Sequence, residues 1–128
     1  MLQRVMIIDD DEDDRDFFTY AIHEINRGIE VVHCKSGSEA LMHLKDENTW
    51  QPQIVFLDVN MPGLDGKETL IRLRQIEALQ DVPIVIYSTS ASGAADLIRL
   101  GASHVLVKPY RLTSMVEEIS GILSLYNR

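Results

Sequence analysis

The sequence predicts an α/β fold: a parallel sheet of five strands with helices covering both faces. One observation behind this is the alternation of five short apolar runs with five stretches whose apolar residues recur at helical spacing, a pattern that calls for parallel pairing through right-handed crossovers. The other is the way the runs stop. Ile54-Val55-Phe56-Leu57 ends abruptly at Asp58, ahead of the turn-forming Pro62, Gly63 and Gly66, and Val5-Met6-Ile7-Ile8 ends at Asp9-Asp10. Ligands of open α/β sheets bind at that rim, outside the carboxyl ends of the strands, so a carboxylate there is better placed to work on something than to pack.

Taken in order, Val5 to Ile8 is the first strand. Seven of the 20 acidic residues lie between Asp9 and Asp16, a density that opposes any compact state unless a cation answers it. Asp11 to Asp14 can cap the positive end of the helix that follows, whose Phe18, Ala21, Ile22 and Ile25 share one face; Asp13, Asp14 and Asp16 are expected on a solvated first turn. Gly28 closes that helix, and Ile29 to Cys34 is the second strand. Ser36 and Glu39 form a capping box ahead of Ala40, Leu41 and Leu44. His33 and His43 have no partners at metal-ligand spacing and read as ordinary histidines. A polar loop from Asp46 to Gln53, with Trp50 and Pro52, leads into the Ile54 strand. The next helix starts near Leu64 and carries Leu70, Leu73 and Ile76. Pro83 to Tyr87 is the fourth strand, ending at Ser88-Thr89-Ser90. Ala94, Ala95, Leu97 and Ile98 mark a helix stopped by Gly101. Val105 to Val107 is the fifth strand, ending at Lys108-Pro109. Leu112, Met115, Val116, Ile119, Ile122, Leu123 and Tyr126 give the last helix the clearest periodicity of the chain.

Composition bounds the function. At 128 residues the chain is expected to be a single domain over 1–128 with no output domain, large enough to bury a core without disulfides or metals. A net charge of -8 argues against a nucleic-acid or anionic-membrane surface. The lone Cys34 forms no intrachain disulfide, and the N-terminus is neither a signal peptide nor a membrane span, so a cytoplasmic protein is expected.

If the strands follow the flavodoxin-like order 2-1-3-4-5, the first and third are neighbours at the switch point, and Asp9, Asp10 and Asp58 meet at their ends. Ser88 and Lys108 join them from strands four and five. Three carboxylates that close cannot all stay ionised without a cation, and an oxygen-rich cluster suits a hard ion such as Mg2+, with Asp10 and Asp58 as direct ligands and Asp9 acting through water.

The pair Asp9-Asp10, the stretch Asp58-Val59-Asn60-Met61-Pro62-Gly63 continuing to Gly66, the hydroxyl Ser88 and the pair Lys108-Pro109 resemble, in order and position, the receiver domain of response regulators of bacterial two-component signalling. The resemblance covers essentially the full length. It implies that Asp58 accepts a phosphoryl group from a sensor histidine kinase or histidine phosphotransfer protein and that the output is contact with a downstream protein. It also implies that the backbone carbonyl of Asn60 joins the Mg2+ ligands, that Ser88 and Lys108 take phosphoryl oxygens, and that the Lys108–Pro109 peptide is cis. Two positions depart from the family pattern: Val105 stands where many receivers hold Tyr or Phe, and Thr89 where alanine is common. A Mg2+-dependent phosphohydrolase of the haloacid-dehalogenase kind is the alternative, but that family places its metal-binding acids after the lysine, where this chain has only Glu117-Glu118 in a helix. A calcium loop starting at Asp9 fails, because its sixth and twelfth positions hold Asp14 and Tyr20 instead of Gly and Glu.

Overall fold

The computed structural model describes residues 2–46, 51–60 and 66–126. The expected turn at Pro62-Gly63, the helix start near Leu64 and the loop residue Trp50 lie outside them. Five strands, β1 (Arg4–Ile8), β2 (Glu30–Cys34), β3 (Ile54–Leu57), β4 (Ile84–Ser88) and β5 (His104–Val107), alternate with α1 (Glu12–Ile25), α2 (Gly37–Lys45), α3 (Gly66–Arg74), α4 (Ala94–Arg99) and α5 (Leu112–Tyr126). All pairings are parallel and the order is β2-β1-β3-β4-β5, as the sequence predicts.

Side chains alternate across the sheet with period two, so each strand serves two cores. Val5, Ile7, Ile54, Phe56, Val85, Tyr87 and Leu106 pack against Phe18, Ala21 and Ile22 of α1 and Met115, Ile119 and Leu123 of α5. Met6, Ile8, Val55, Leu57, Ile84 and Ile86 face the other way, onto Ala40, Leu41 and Leu44 of α2, Leu70 and Leu73 of α3, and Leu97 of α4. Such burial at both faces requires the near-continuous apolar strands seen in the sequence.

Local chemistry sets the boundaries. Asp11 caps α1, its side chain accepting from the Asp13 and Asp14 amides, and Ser36 caps α2 through the Glu39 amide. Two boundaries differ from expectation. Asn26, not Gly28, ends α1: its extended backbone turns the chain out while its side chain accepts from the Gly28 amide at 2.8 Å. Ile76 lies beyond α3 and leads a single 3-10 turn, Glu77–Leu79, whose exit is tied down by Arg74. The Arg74 guanidinium donates to the carbonyls of Leu79, Val82 and Gly101 at 2.7 to 2.8 Å. Among the described residues no helix is long and apolar enough to cross a membrane.

Candidate functional site

The strand periodicity decides which side chains meet. Continuing Val5 and Ile7, Ile54 and Phe56, and Leu106 by one period leads to Asp9, Asp58 and Lys108, so all three emerge toward α1 and α5. Asp9 and Asp58 are buried although both carry carboxylates. Their backbones extend the sheet, Asp58 N donating to Ile8 O at 2.9 Å and Asp9 N to Cys34 O at 3.0 Å. Lys108 N likewise donates to Ser88 O at 2.7 Å, which fixes where its side chain begins. The Lys108 ammonium then donates to Asp9 Oδ2 at 2.8 Å, to Asp14 Oδ2 at 2.8 Å and to Asp58 Oδ2 at 3.4 Å, over the Tyr87 ring at 4.8 Å from its centroid.

The Lys108–Pro109 peptide is trans, which corrects the cis bond expected from the resemblance. Trans is the lower-energy form of an X-Pro bond, and from its ladder position Lys108 reaches Asp58 without the isomer. A second correction concerns Asp14. It is not merely a solvated first-turn acid, because α1 sets it against Lys108, whereas Asp13 and Asp16 are exposed as expected. First-turn acids look alike in sequence; a lysine ninety-four residues away separates them.

On the opposite parity, Ser88 continues Ile84 and Ile86 and is buried. It does not reach Asp58 directly. Asn60 links the two: its amide N–H donates to Asp58 Oδ1 at 2.9 Å, and its side-chain amide donates to Ser88 Oγ at 3.0 Å and Thr89 Oγ1 at 3.3 Å. Gly66 presses on the same loop from α3. A β-carbon there would lie 2.1 Å from Val59 Cα and 2.9 Å from Asp58 O, so only glycine permits this approach.

Carboxylate oxygens of Asp9, Asp10 and Asp58 lie within 4.8 Å of one another, the one such cluster among the described residues. With Asp14, four acids face a single ammonium. Burial pushes the Asp9 carboxyl up to about 6, against the lowering by Lys108 and the Asp11 amide, which donates to Asp9 Oδ1 at 3.0 Å. Burial also works against the charge on Lys108, but its bonds to Asp14 and Asp9 prevail and raise it above the ordinary lysine value. The pocket is therefore short of positive charge. Its donors are all oxygens, the set that suits Mg2+ or a similar hard divalent cation. Chemically it offers a buried carboxylate beside an ammonium and an all-oxygen cluster able to hold a cation, with the Ser88 hydroxyl joined to it through Asn60, a setting for anionic phosphoryl chemistry.

A family model described as the response regulator receiver domain matches residues 5–120. The transcriptional regulatory protein PrrA of Mycobacterium tuberculosis is 31% identical over 127 residues, covering 94% of this chain and 49% of PrrA, so the chain spans about half the length of that relative. The chemotaxis protein CheY of Bacillus subtilis is 29% identical over 127 residues, covering 97% of this chain and 100% of CheY. Among solved structures, the response regulator TrrA of Thermotoga maritima in complex with Mg2+-BeF has a TM-score of 0.77 at 23% identity, over 94% of this chain and 99% of that one. That likeness speaks for the fold.

Proposed function

This chain belongs to the response regulator receiver domain family, and from that premise we propose that it accepts a phosphoryl group on Asp58 and signals by protein–protein contact. The observation that carries the reading is the setting of Asp58: a buried carboxylate at the end of β3, 3.4 Å from the Lys108 ammonium and within 4.8 Å of two further carboxylates. An oxygen of Asp58 attacks phosphorus of a phosphohistidine on a sensor kinase or phosphotransfer protein. A P–O bond forms, the P–N bond breaks, and the departing imidazole takes up a proton from solvent, leaving an acyl phosphate. Lys108 pairs with one phosphoryl oxygen and the Ser88 hydroxyl, once it leaves Asn60, donates to another. Asp10, Asp58 and the Asn60 carbonyl would hold Mg2+ directly, with Asp9 acting through water; when bound, the ion supplies neutralisation of the phosphoryl charge. Mg2+ accompanies the structurally similar response regulator TrrA in its complex with BeF.

Residues 1–128 are read as one receiver acting in the cytoplasm. PrrA is named a transcriptional regulator and CheY a chemotaxis protein, so family membership leaves the downstream target to be found by capture with and without beryllofluoride. Phosphorylation itself is tested with acetyl phosphate and Mg2+. Intact-mass measurement is expected to record one added phosphoryl group, lost in Asp58→Asn and suppressed by a chelator. A mass gain that persists in Asp58→Asn overturns the assignment.

A further inference from the structure

Asp14 has no part in the chemistry above, yet its carboxylate takes one of the Lys108 hydrogen bonds. An ammonium has three N–H donors, and here their partners are Asp9 and Asp14, both at 2.8 Å, and Asp58 at 3.4 Å. A phosphoryl group arriving on Asp58 needs one of those donors, so one partner must let go. The three differ in what release costs. Asp9 is fully buried, and losing Lys108 would take the donor from its Oδ2, leaving the Asp11 amide on Oδ1. Asp58 carries the phosphoryl group itself. The Asp14 side chain is 42% exposed, so water can solvate its carboxylate as it leaves. Beside it, a hollow of about 130 Å³ between Phe17, Tyr87, Lys108 and Tyr110 gives both side chains room to turn.

We propose, resting on the reading of Asp58 as phosphoacceptor, that Asp14 is a positioning residue: it holds the resting Lys108 ammonium toward α1 and is the partner that Lys108 exchanges for a phosphoryl oxygen. Asp14 thereby sets how readily the site takes a phosphoryl group. Its effect runs through Lys108 and not through direct repulsion of phosphate. The cap of α1 does not depend on this side chain, because Asp11 accepts from the backbone amide of residue 14; Asp14→Asn therefore leaves the fold in place.

The test is beryllofluoride affinity at saturating Mg2+, followed by amide NMR titration of the full chain in wild type, Asp14→Asn, Lys108→Ala and the double variant. Asp14→Asn is expected to bind about three- to tenfold tighter, the span of one modest hydrogen bond, and to react faster with acetyl phosphate. In the Lys108→Ala background the same substitution is expected to change nothing, since no ammonium remains to be released. Unchanged or weaker binding by Asp14→Asn overturns the inference alone, provided that binding still requires Asp58. An equal gain in the Lys108→Ala background also overturns it, in favour of plain charge repulsion. Binding that survives Asp58→Asn overturns the proposed function and this inference with it.

Discussion

Asp9 sits at the end of β1 with no exposed surface, its carboxyl pushed up to about 6 from an ordinary 3.8, chiefly by loss of water. An acid raised on folding binds more protons in the folded state between those two values. Stability therefore falls as pH rises from about 4 to about 6, and the loss is complete above the folded value. Its size is on the order of 1–3 kcal/mol. A divalent cation in the pocket offsets the same charge, so Mg2+ is expected to raise the urea midpoint more at pH 7 than at pH 4.5. Equal Mg2+ effects at the two pH values would contradict this. Asp10 makes a cleaner variant because it is exposed: Asp10→Asn removes both a proposed ligand and some repulsion. Mg2+ titration should weaken while the fold stays as stable or becomes more so; an unchanged titration contradicts the ligand role. At this scale Asp9, Asp10, Asp58, Ser88 and Lys108 were legible in the sequence, because each is a polar residue that stops an apolar run. Asp14 was not, because helix-cap chemistry explains a first-turn acid equally well.

Elements reach the site through backbone contacts that sequence periodicity does not encode. Gly66 reads as a turn glycine, yet its importance is that α3 starts against the backbone of Asp58 and Val59. Gly66→Ala is expected to cost about 1–3 kcal/mol, as overpacking does, and to lower phosphorylation by shifting that loop; denaturant melts and acetyl phosphate rates check both. Arg74 was illegible. Its place in a helix looks like that of any surface arginine, and its carbonyl partners at residues 79, 82 and 101 come together only in the fold. Arg74→Ala should destabilise by about 2–4 kcal/mol, since it leaves three carbonyls without a charged donor. A loss under about 0.5 kcal/mol would show that water replaces the guanidinium. The helix boundaries at Asn26 and Ile76 differ from expectation: the Asn26 side chain accepts from the Gly28 amide, and Arg74, the last residue of α3, holds the carbonyls of Leu79 and Val82 beyond it.

The whole molecule was the most legible level, since alternating elements and strand-end acids allow few arrangements and the 2-1-3-4-5 sheet joins them at one rim. How a phosphoryl group changes the molecule depends on what differs between two states. On the proposed reading Ser88 leaves the Asn60 amide to reach the phosphoryl group, and Gly93, with φ of 77°, lies just before α4. Val105 is half-buried against the core below α2, α3 and α4, and its short, branched side chain has no ring to swing. Activation with Mg2+ and beryllofluoride should therefore change hydrogen exchange from Ser88 to Gly93 and at the start of α4, with little change from Val105 to Val107. The reverse pattern would place the coupling elsewhere. All of this follows from one carboxylate, and borohydride reduction tests it most directly, because it converts an aspartyl phosphate to homoserine that peptide mass spectrometry can locate. After phosphorylation by acetyl phosphate, homoserine is expected at position 58 alone; homoserine at position 9, 10 or 14, or a phosphoryl group that resists reduction, would contradict the account.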